Sequence, residues 1–223
     1  MKFEHTQVMN FEGALRGMRN PLNSWAKSDS RINWEYGETP YYEIGPNDMN
    51  LAQRLINGGS EHRKFLRQIM VSVDITAPLY WWKEFDTYKV GTTANSTSTM
   101  HKLASTPITL ECFETDDYCG DLVYFTYDGD TLTDYTVNDI MQNIIEDLEA
   151  LRQKYLETKD KKWWWLMIQL LPSSYNQRRT ITMNYENVMT IINQRSNHKL
   201  DEWHDLIAEL RKLPYVNEIR GEE

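Results

Sequence analysis

Alternation between apolar and polar residues predicts several short strands along the chain. The clearest lies at residues 69–75, where every second side chain is a branched aliphatic one. Alternation over residues 3–11 predicts a first strand close to the N-terminus. Weaker patterns predict strands at residues 110–113, 122–127 and 179–184, with Asp128-Gly129 as the turn after the second of these.

Apolar residues at intervals of three and four predict helices in much of the remaining chain. A helix over residues 48–56 has Asp48 as its expected N-cap and Gly58-Gly59 after its end. A longer helix is expected to open at Thr136 or Asn138 and to continue to about residue 158. Further helices are predicted at residues 12–18, from residue 60 onward, and at 79–89, 161–171, 186–194 and 200–213. Residues 20–47 are expected to be irregular. Because no repeat or linker interrupts these elements, the sequence predicts one α+β domain over residues 1–223.

A polar segment at residues 91–101 separates two well-patterned regions of the chain. Eight of its eleven residues are Gly, Thr, Ser or Asn, and it follows a predicted helix that is rich in aromatic residues. Binding residues concentrate on loops that rigid elements hold in place. We therefore expect this segment to contact a ligand.

Composition and charge exclude several classes of function. The chain has 223 residues and a formal net charge of −9, which disfavours extended nucleic-acid binding. No apolar run is long enough to cross a bilayer, and the first residues do not resemble a signal peptide. The two cysteines, Cys112 and Cys119, match no zinc pattern and form no disulfide framework, so a reducing cytoplasmic location is expected.

No motif for hydrolysis or for binding nucleoside triphosphates is present. The chain contains neither a nucleophile elbow nor a glycine-rich phosphate fingerprint. The acidic tract at residues 111–121 is interpreted as a solvated loop in preference to a metal site, and no metal is predicted.

The order of the elements resembles that of the flavin-dependent thymidylate synthases. The resemblance covers residues 3–213 and includes an Ala-Pro dipeptide before a helix and a polar loop, then Leu-Pro followed by a strand and two helices. It implies a central mixed sheet flanked by helices and a homotetramer. It also implies methylation of dUMP with FAD, NADPH and methylenetetrahydrofolate.

The family signature R-H-R-x-x-S-x-N-E-x-S-x-R-Y falls on the polar segment in altered form. Placed without gaps, its R-H-R falls on Thr87, Tyr88 and Lys89, of which only Lys89 carries a positive charge. A shift of one residue makes Asn95 and Ser98 identical to the signature. The register is therefore open by one residue.

Three other family motifs are kept only in part. In the segment of G-H-x-S-P-x-E-H, His62 stands for the first histidine and Arg67-Gln68 occupies the place of E-H. In the strand that ends in N-x-R, Asn184 is kept and Glu186 replaces the arginine. Leu171-Pro172 is kept without the arginine that precedes it in the family, and Arg195 matches the arginine that ends the following helix.

The resemblance assigns roles to seven residues. It implies that His62, Lys89 and Asn184 contact the cofactor, that Arg195 has a catalytic role, and that the substrate is bound by Asn95, Ser98, Arg178 and Arg195.

Each assignment has a structural alternative. His62 can be a helix residue without a ligand, Asn184 can end a strand, and Arg195 can be a surface cation at a helix C-terminus. Ser98 can be a turn serine, and Arg178 and Arg179 can flank an edge strand. The tryptophan runs at 81–82 and 163–165 are interpreted as core or subunit interface in preference to a flavin stack.

Two functions follow from these residues. The first is a divergent family member that binds FAD and a pyrimidine nucleotide and transfers a one-carbon group to it. The second is a non-catalytic relative that serves as a nucleotide-binding or structural oligomer, which the lost arginines favour. A compact, divergent nucleotide enzyme would suit a phage or prophage.

Overall fold

The computed structural model describes residues 1–34, 40–115, 123–127, 129 and 132–222. Within these ranges the strands are β1 (Lys2–Met9), β2 (Arg31–Asn33), β3 (Tyr41–Glu43), β4 (Met70–Pro78), β5 (Thr93–Ser96), β6 (Val123–Tyr127), β7 (Leu132–Thr136) and β8 (Asn176–Asn184). The helices are α1 (Phe11–Met18), α2 (Pro46–Asn57), α3 (Leu79–Phe85), α4 (Thr99–Lys102), α5 (Val137–Thr158), α6 (Lys161–Leu170), α7 (Tyr185–Arg195), α8 (Asp201–Leu210) and α9 (Val216–Arg220).

A four-stranded sheet with the order β1-β4-β8-β5 is the main sheet of the described chain. Two separate antiparallel hairpins, β2–β3 and β6–β7, complete the strand content. Helices flank the sheet, and the predicted α+β fold class is confirmed. β4 shows the alternation expected from the sequence, because Val71, Val73 and Ile75 are buried while the residues between them are half-buried.

The contacts divide the chain into two compact units. The first comprises residues 1–75, 87–95 and 180–223, and the second comprises residues 76–86 and 96–179. In the first unit, α7 packs against α8 and places Val188 and Ile192 in the core, where Trp203 is also fully buried. In the second unit, α5 packs against α6, and Leu148 and Met167 are fully buried between their neighbours.

The long helix α5 begins as the sequence predicts. The Thr136 side chain accepts a hydrogen bond from the Asp139 amide, and the Asp139 carboxylate accepts one from the Thr136 amide. This capping box satisfies two amides that the helix itself cannot pair. Further along α5, the Arg152 guanidinium binds the Glu149 carboxylate and holds its pKa at about 2, although burial opposes the shift.

The prediction that Asp48 caps α2 is wrong. Gly45 occupies the cap position, Pro46 begins the helix, and Asp48 lies inside the first turn with its side chain fully buried. The Asp48 carboxylate accepts hydrogen bonds from the Arg19 guanidinium at 2.5 Å and from the hydroxyls of Ser28 and Ser30 at 2.7 and 2.6 Å. Burial alone would raise the pKa of Asp48, but these donors outweigh it and keep the pKa below its usual value.

Several predicted boundaries also differ. The strand predicted at residues 110–113 is a 3-10 helix at Leu110–Cys112. The helix predicted from residue 60 is a turn followed by a 3-10 helix at Lys64–Gln68. α3 ends at Phe85, four residues before its predicted end, and residues 20–47 contain the β2–β3 hairpin.

The polar segment at residues 91–101 has more regular structure than the sequence suggests. It contains β5, which pairs with β8, and the first residues of α4. Across the described ranges, none of the helices is both long and apolar enough to span a membrane.

Candidate functional site

A cleft of about 610 Å³ in the first unit is lined by residues from three parts of the chain. Its volume lies in the range of pockets that take a small ligand. The first turn of α7 forms one wall, and the segment from Thr87 to Gly91 forms another. The lining residues are Arg67, Thr87, Tyr88, Lys89, Val90, Gly91, Asn184, Glu186, Asn187, Thr190, Gln194 and Arg195.

Two asparagines hold the start of α7 and the segment opposite it together. The Asn184 side chain accepts a hydrogen bond from the Asn187 amide at 3.0 Å, and the Asn187 side chain accepts one from the Asn184 amide at 3.3 Å. The Asn187 side-chain amide also donates to the Val90 carbonyl at 2.8 Å. Gly91 has φ +75°, and a Cβ there would lie 2.7 Å from the Asn184 side-chain nitrogen. Glycine is therefore required both by the backbone and by the space.

Arg195 is fixed by two aromatic side chains at the end of α7. Its guanidinium carbon lies 4.5 Å from the Trp203 ring centroid and 5.5 Å from that of Tyr88. Its Nε donates to the Tyr88 hydroxyl at 2.9 Å, and that hydroxyl donates to the Gln194 side chain at 3.1 Å. Because Trp203 is fully buried, the guanidinium rests on a rigid surface.

Three cations and one acid give the cleft its electrostatic character. Arg67, Lys89 and Arg195 contribute positive charge, and Glu186 contributes negative charge. Glu186 is bound by both sides of the Arg63 guanidinium, with contacts of 2.7 to 3.1 Å. This pair neutralises the acid that replaces the arginine of the family's N-x-R motif, so the lining keeps an excess of positive charge.

The structure brings three of the predicted site residues together. Lys89, Asn184 and Arg195 are separated by up to 106 positions in the sequence, yet all line the same cleft. Asn184 is also the last residue of β8 and the N-cap of α7, so its structural alternative holds as well. His62 lines a different cleft of about 510 Å³ beside Met18 and Phe65.

The other predicted site residues do not line the first unit's cleft. Asn95 is an exposed residue of β5. In the second unit, Ser98 is the N-cap of α4 and accepts a hydrogen bond from the His101 amide at 3.3 Å. Arg178 lies on β8 with an exposed side chain, and its carbonyl accepts from the Thr97 amide at 2.9 Å. The alternative that Arg178 and Arg179 flank an edge strand is wrong, because β8 lies between β4 and β5.

Sequence reasoning missed Arg67 and Gln194 as residues of this cleft. Arg67 occupies the place of an acidic residue in the family motif, so the resemblance pointed away from it. The tryptophans at 81 and 82 are fully buried, which confirms the core interpretation, and Trp82 carries the Arg179 guanidinium 4.3 Å from its ring centroid. In the second run, Trp165 is half exposed.

The acidic tract and the second cysteine fall largely outside the described residues. Of residues 111–121, those from 116 onward are not described, and neither are Cys119, Leu122 and Asp128. Among the residues that are described, no three His, Cys, Asp or Glu side chains are grouped so that they could hold a metal ion.

Comparison with known proteins gives structural matches but none in sequence. No protein-family model matches the chain, and no curated protein matches it in sequence. A crystal structure of the flavin-dependent thymidylate synthase of Helicobacter pylori, complexed with FAD and dUMP, matches with a TM-score of 0.67 and 18% identity. A second structure of that enzyme with the same two ligands matches with a TM-score of 0.66 and 18% identity. Each match covers 99% of this chain and 97% of the other. The resemblance seen in the sequence is thus confirmed for the fold, and the chain has the fold of a flavin-dependent thymidylate synthase.

Proposed function

We propose that this protein is a divergent flavin-dependent thymidylate synthase-like protein that binds FAD and a pyrimidine nucleotide such as dUMP. The observation that carries the proposal is that Lys89, Asn184 and Arg195 line one cleft. Each was assigned to a ligand from a different motif, and chance placement would not be expected to gather all three. The enzyme of the same fold from Helicobacter pylori is complexed with these two ligands.

The charge of the cleft suits a phosphate. The chain as a whole carries a net charge of −9, which repels anions, so a local group of cations stands out. Arg67, Lys89 and Arg195 line the cleft from three separate segments. A guanidinium can pair with two phosphate oxygens at once, and Arg195 is held against Trp203 and Tyr88, so little entropy is lost on binding.

Arg67 offers a reason why the signature arginines can be absent. Two of the three positions of R-H-R have lost their charge or ring, leaving Lys89 alone. Arg67 comes from the 3-10 helix before β4 and brings a second cation to the same cleft. We infer that a different set of cations performs the phosphate recognition that the signature performs in the family.

The donor set also fits the phosphate groups of FAD. Lys89 would neutralise a phosphate, and the Asn184 side-chain amide, at the edge of the capping box, would orient a carbonyl or ring nitrogen. FAD when bound supplies the redox chemistry of the reaction. The methylation, with NADPH as reductant and methylenetetrahydrofolate as the one-carbon donor, forms part of the proposal, as do a cytoplasmic homotetramer and a phage or prophage source.

A second candidate is a non-catalytic relative that binds a nucleotide or forms a structural oligomer. The specific observation in its favour is the Arg63–Glu186 pair, because it places a neutralised acid where the family has an arginine. Tyr88, in the place of the signature histidine, is engaged with Arg195. Such a protein would keep the cleft and lose the chemistry.

Two experiments test the proposal. Calorimetric titration of dUMP into protein supplied with FAD should give saturable binding, and the absence of heat at millimolar dUMP would count against both candidates as nucleotide binders. Expression in a thymidine-requiring strain then separates them. Growth without thymidine supports the catalytic function, whereas dUMP binding without growth supports the non-catalytic relative.

A further inference from the structure

The pair of helices α5 and α6 leaves an apolar groove open on the surface of the second unit. The groove has a volume of about 390 Å³, and Leu166 and Leu170 of α6 on its wall are 40% and 54% exposed. We name the α5–α6 face by its apolar lining, which consists of Ala150, Leu151, Trp163, Leu166 and Leu170. Contiguous apolar surface of this kind on a folded chain marks a contact with another molecule.

The charged residues of this groove form a self-complementary pattern. Its lining includes one acid and one base, Asp147 and Lys154, both exposed and both on α5. Seven residues correspond to nearly two full turns, so the two side chains lie on the same side of the helix, about 10 Å apart along its axis. The midpoint between them falls between Ala150 and Leu151, which also line the groove.

This pattern matches itself when the helix direction is reversed. If a second α5 lies antiparallel and is centred on the same midpoint, Asp147 of each copy faces Lys154 of the other. The small side chain of Ala150 at the centre lets the two helices approach closely. A contact of this type has two-fold symmetry and uses the same patch on both copies.

We propose that the α5–α6 face is the contact between two copies of this chain, related by a two-fold axis that passes beside Ala150 and Leu151. A second copy is the occupant because the groove's own charges complement one another on reversal, whereas the net charge of −9 otherwise makes copies repel. Lys154 also lies 3.5 Å from Glu157 of its own helix, but both side chains are more than half exposed, and this pair is weak.

The inference specifies one interface of the proposed homo-oligomer and is independent of the cleft in the first unit. The experiment measures mass without any ligand, so failure of the dimer and failure of nucleotide binding are separate results.

The test is a charge exchange followed by sedimentation equilibrium over a range of protein concentrations. Lys154→Asp and Asp147→Lys each place like charges opposite one another, and each should weaken self-association at least tenfold. The double variant restores opposite charges, as does an equimolar mixture of the two single variants, and both should associate as the wild type does. Lys161→Asp, an equal charge change at an exposed residue of α6 outside the groove, is the matched control and should leave association unchanged.

Several outcomes would overturn the inference. These are a wild-type protein that stays monomeric at all concentrations, single variants that associate as the wild type does, and a double variant and mixture that both fail to recover. Leu166→Asp gives a second measurement, since it removes apolar contact at an exposed position without affecting the core. Thermal unfolding of every variant should match that of the wild type, because the substituted residues are exposed.

Discussion

Replacing Arg195 is expected to weaken nucleotide binding strongly while leaving the chain folded. The guanidinium lines the cleft, rests on Trp203 and donates to Tyr88, so its position is fixed before a ligand arrives. Arg195→Ala removes the charge and both halves of the planar fork. Arg195→Lys keeps the charge and loses the fork and the stacking.

The magnitude follows from the contacts that a phosphate would lose. A hydrogen bond to a charged group contributes roughly 1.5–3 kcal/mol, which corresponds to about a 10- to 100-fold change in Kd. We expect Arg195→Ala to raise the Kd for dUMP by at least about tenfold, with Arg195→Lys in between. The lost cation–π contact with Trp203 should lower stability by about 0.5–2 kcal/mol, which a thermal melt measures separately.

The assay is calorimetric titration of dUMP at fixed low salt, with Arg54→Ala as the control. Arg54 is an exposed residue of α2 outside the cleft, and its replacement removes the same charge from the chain. The control should bind dUMP as the wild type does. If Arg195→Ala binds dUMP with unchanged affinity, Arg195 is a surface cation at the end of α7, and the argument for phosphate recognition in this cleft fails.

Three further predictions concern stability and the shape of the cleft. Gly91→Ala should destabilise the protein more than Gly129→Ala by about 1–2 kcal/mol and should weaken dUMP binding, because both positions have positive φ but only the first would meet asparagine side chains. Equal losses in urea unfolding would show that those side chains move aside. Asp48→Asn should cost about 3–5 kcal/mol in urea unfolding because it leaves a buried guanidinium without its counter-ion, and a loss below about 1 kcal/mol would contradict this. Glu149→Gln should cost about 1–3 kcal/mol at neutral pH. Because the folded pKa of Glu149 is depressed to about 2, its contribution is present above its usual pKa of about 4.3 and is lost as the pH falls towards 2, whereas Glu146→Gln on the same helix should have little effect at any pH.

Local patterns in the sequence predicted the elements that bury one regular face. β4 and α5 were found from periodicity alone, because alternation and helical spacing report directly which side chains leave water. Thr136 was found because a cap is a local hydrogen bond. Asp48 was misassigned for the opposite reason, since its partners lie on residues 19 to 30 and nothing in the neighbouring sequence reveals them.

The candidate site shows the same division. Motif positions led to Lys89, Asn184 and Arg195, but the cleft also depends on Arg67 and on the Arg63–Glu186 pair. Those contacts join segments up to 123 residues apart. Only the folded chain shows that one arginine neutralises an acid while another adds charge to the cleft.

The absorbance spectrum of the purified protein, recorded after incubation with excess FAD and desalting, tests the central claim most directly. If the cleft belongs to a flavin-binding protein, the visible flavin bands survive desalting at close to one FAD per chain, and adding dUMP perturbs them. A colourless protein that retains no FAD would contradict the account and leave the fold of a flavin-dependent thymidylate synthase without its cofactor.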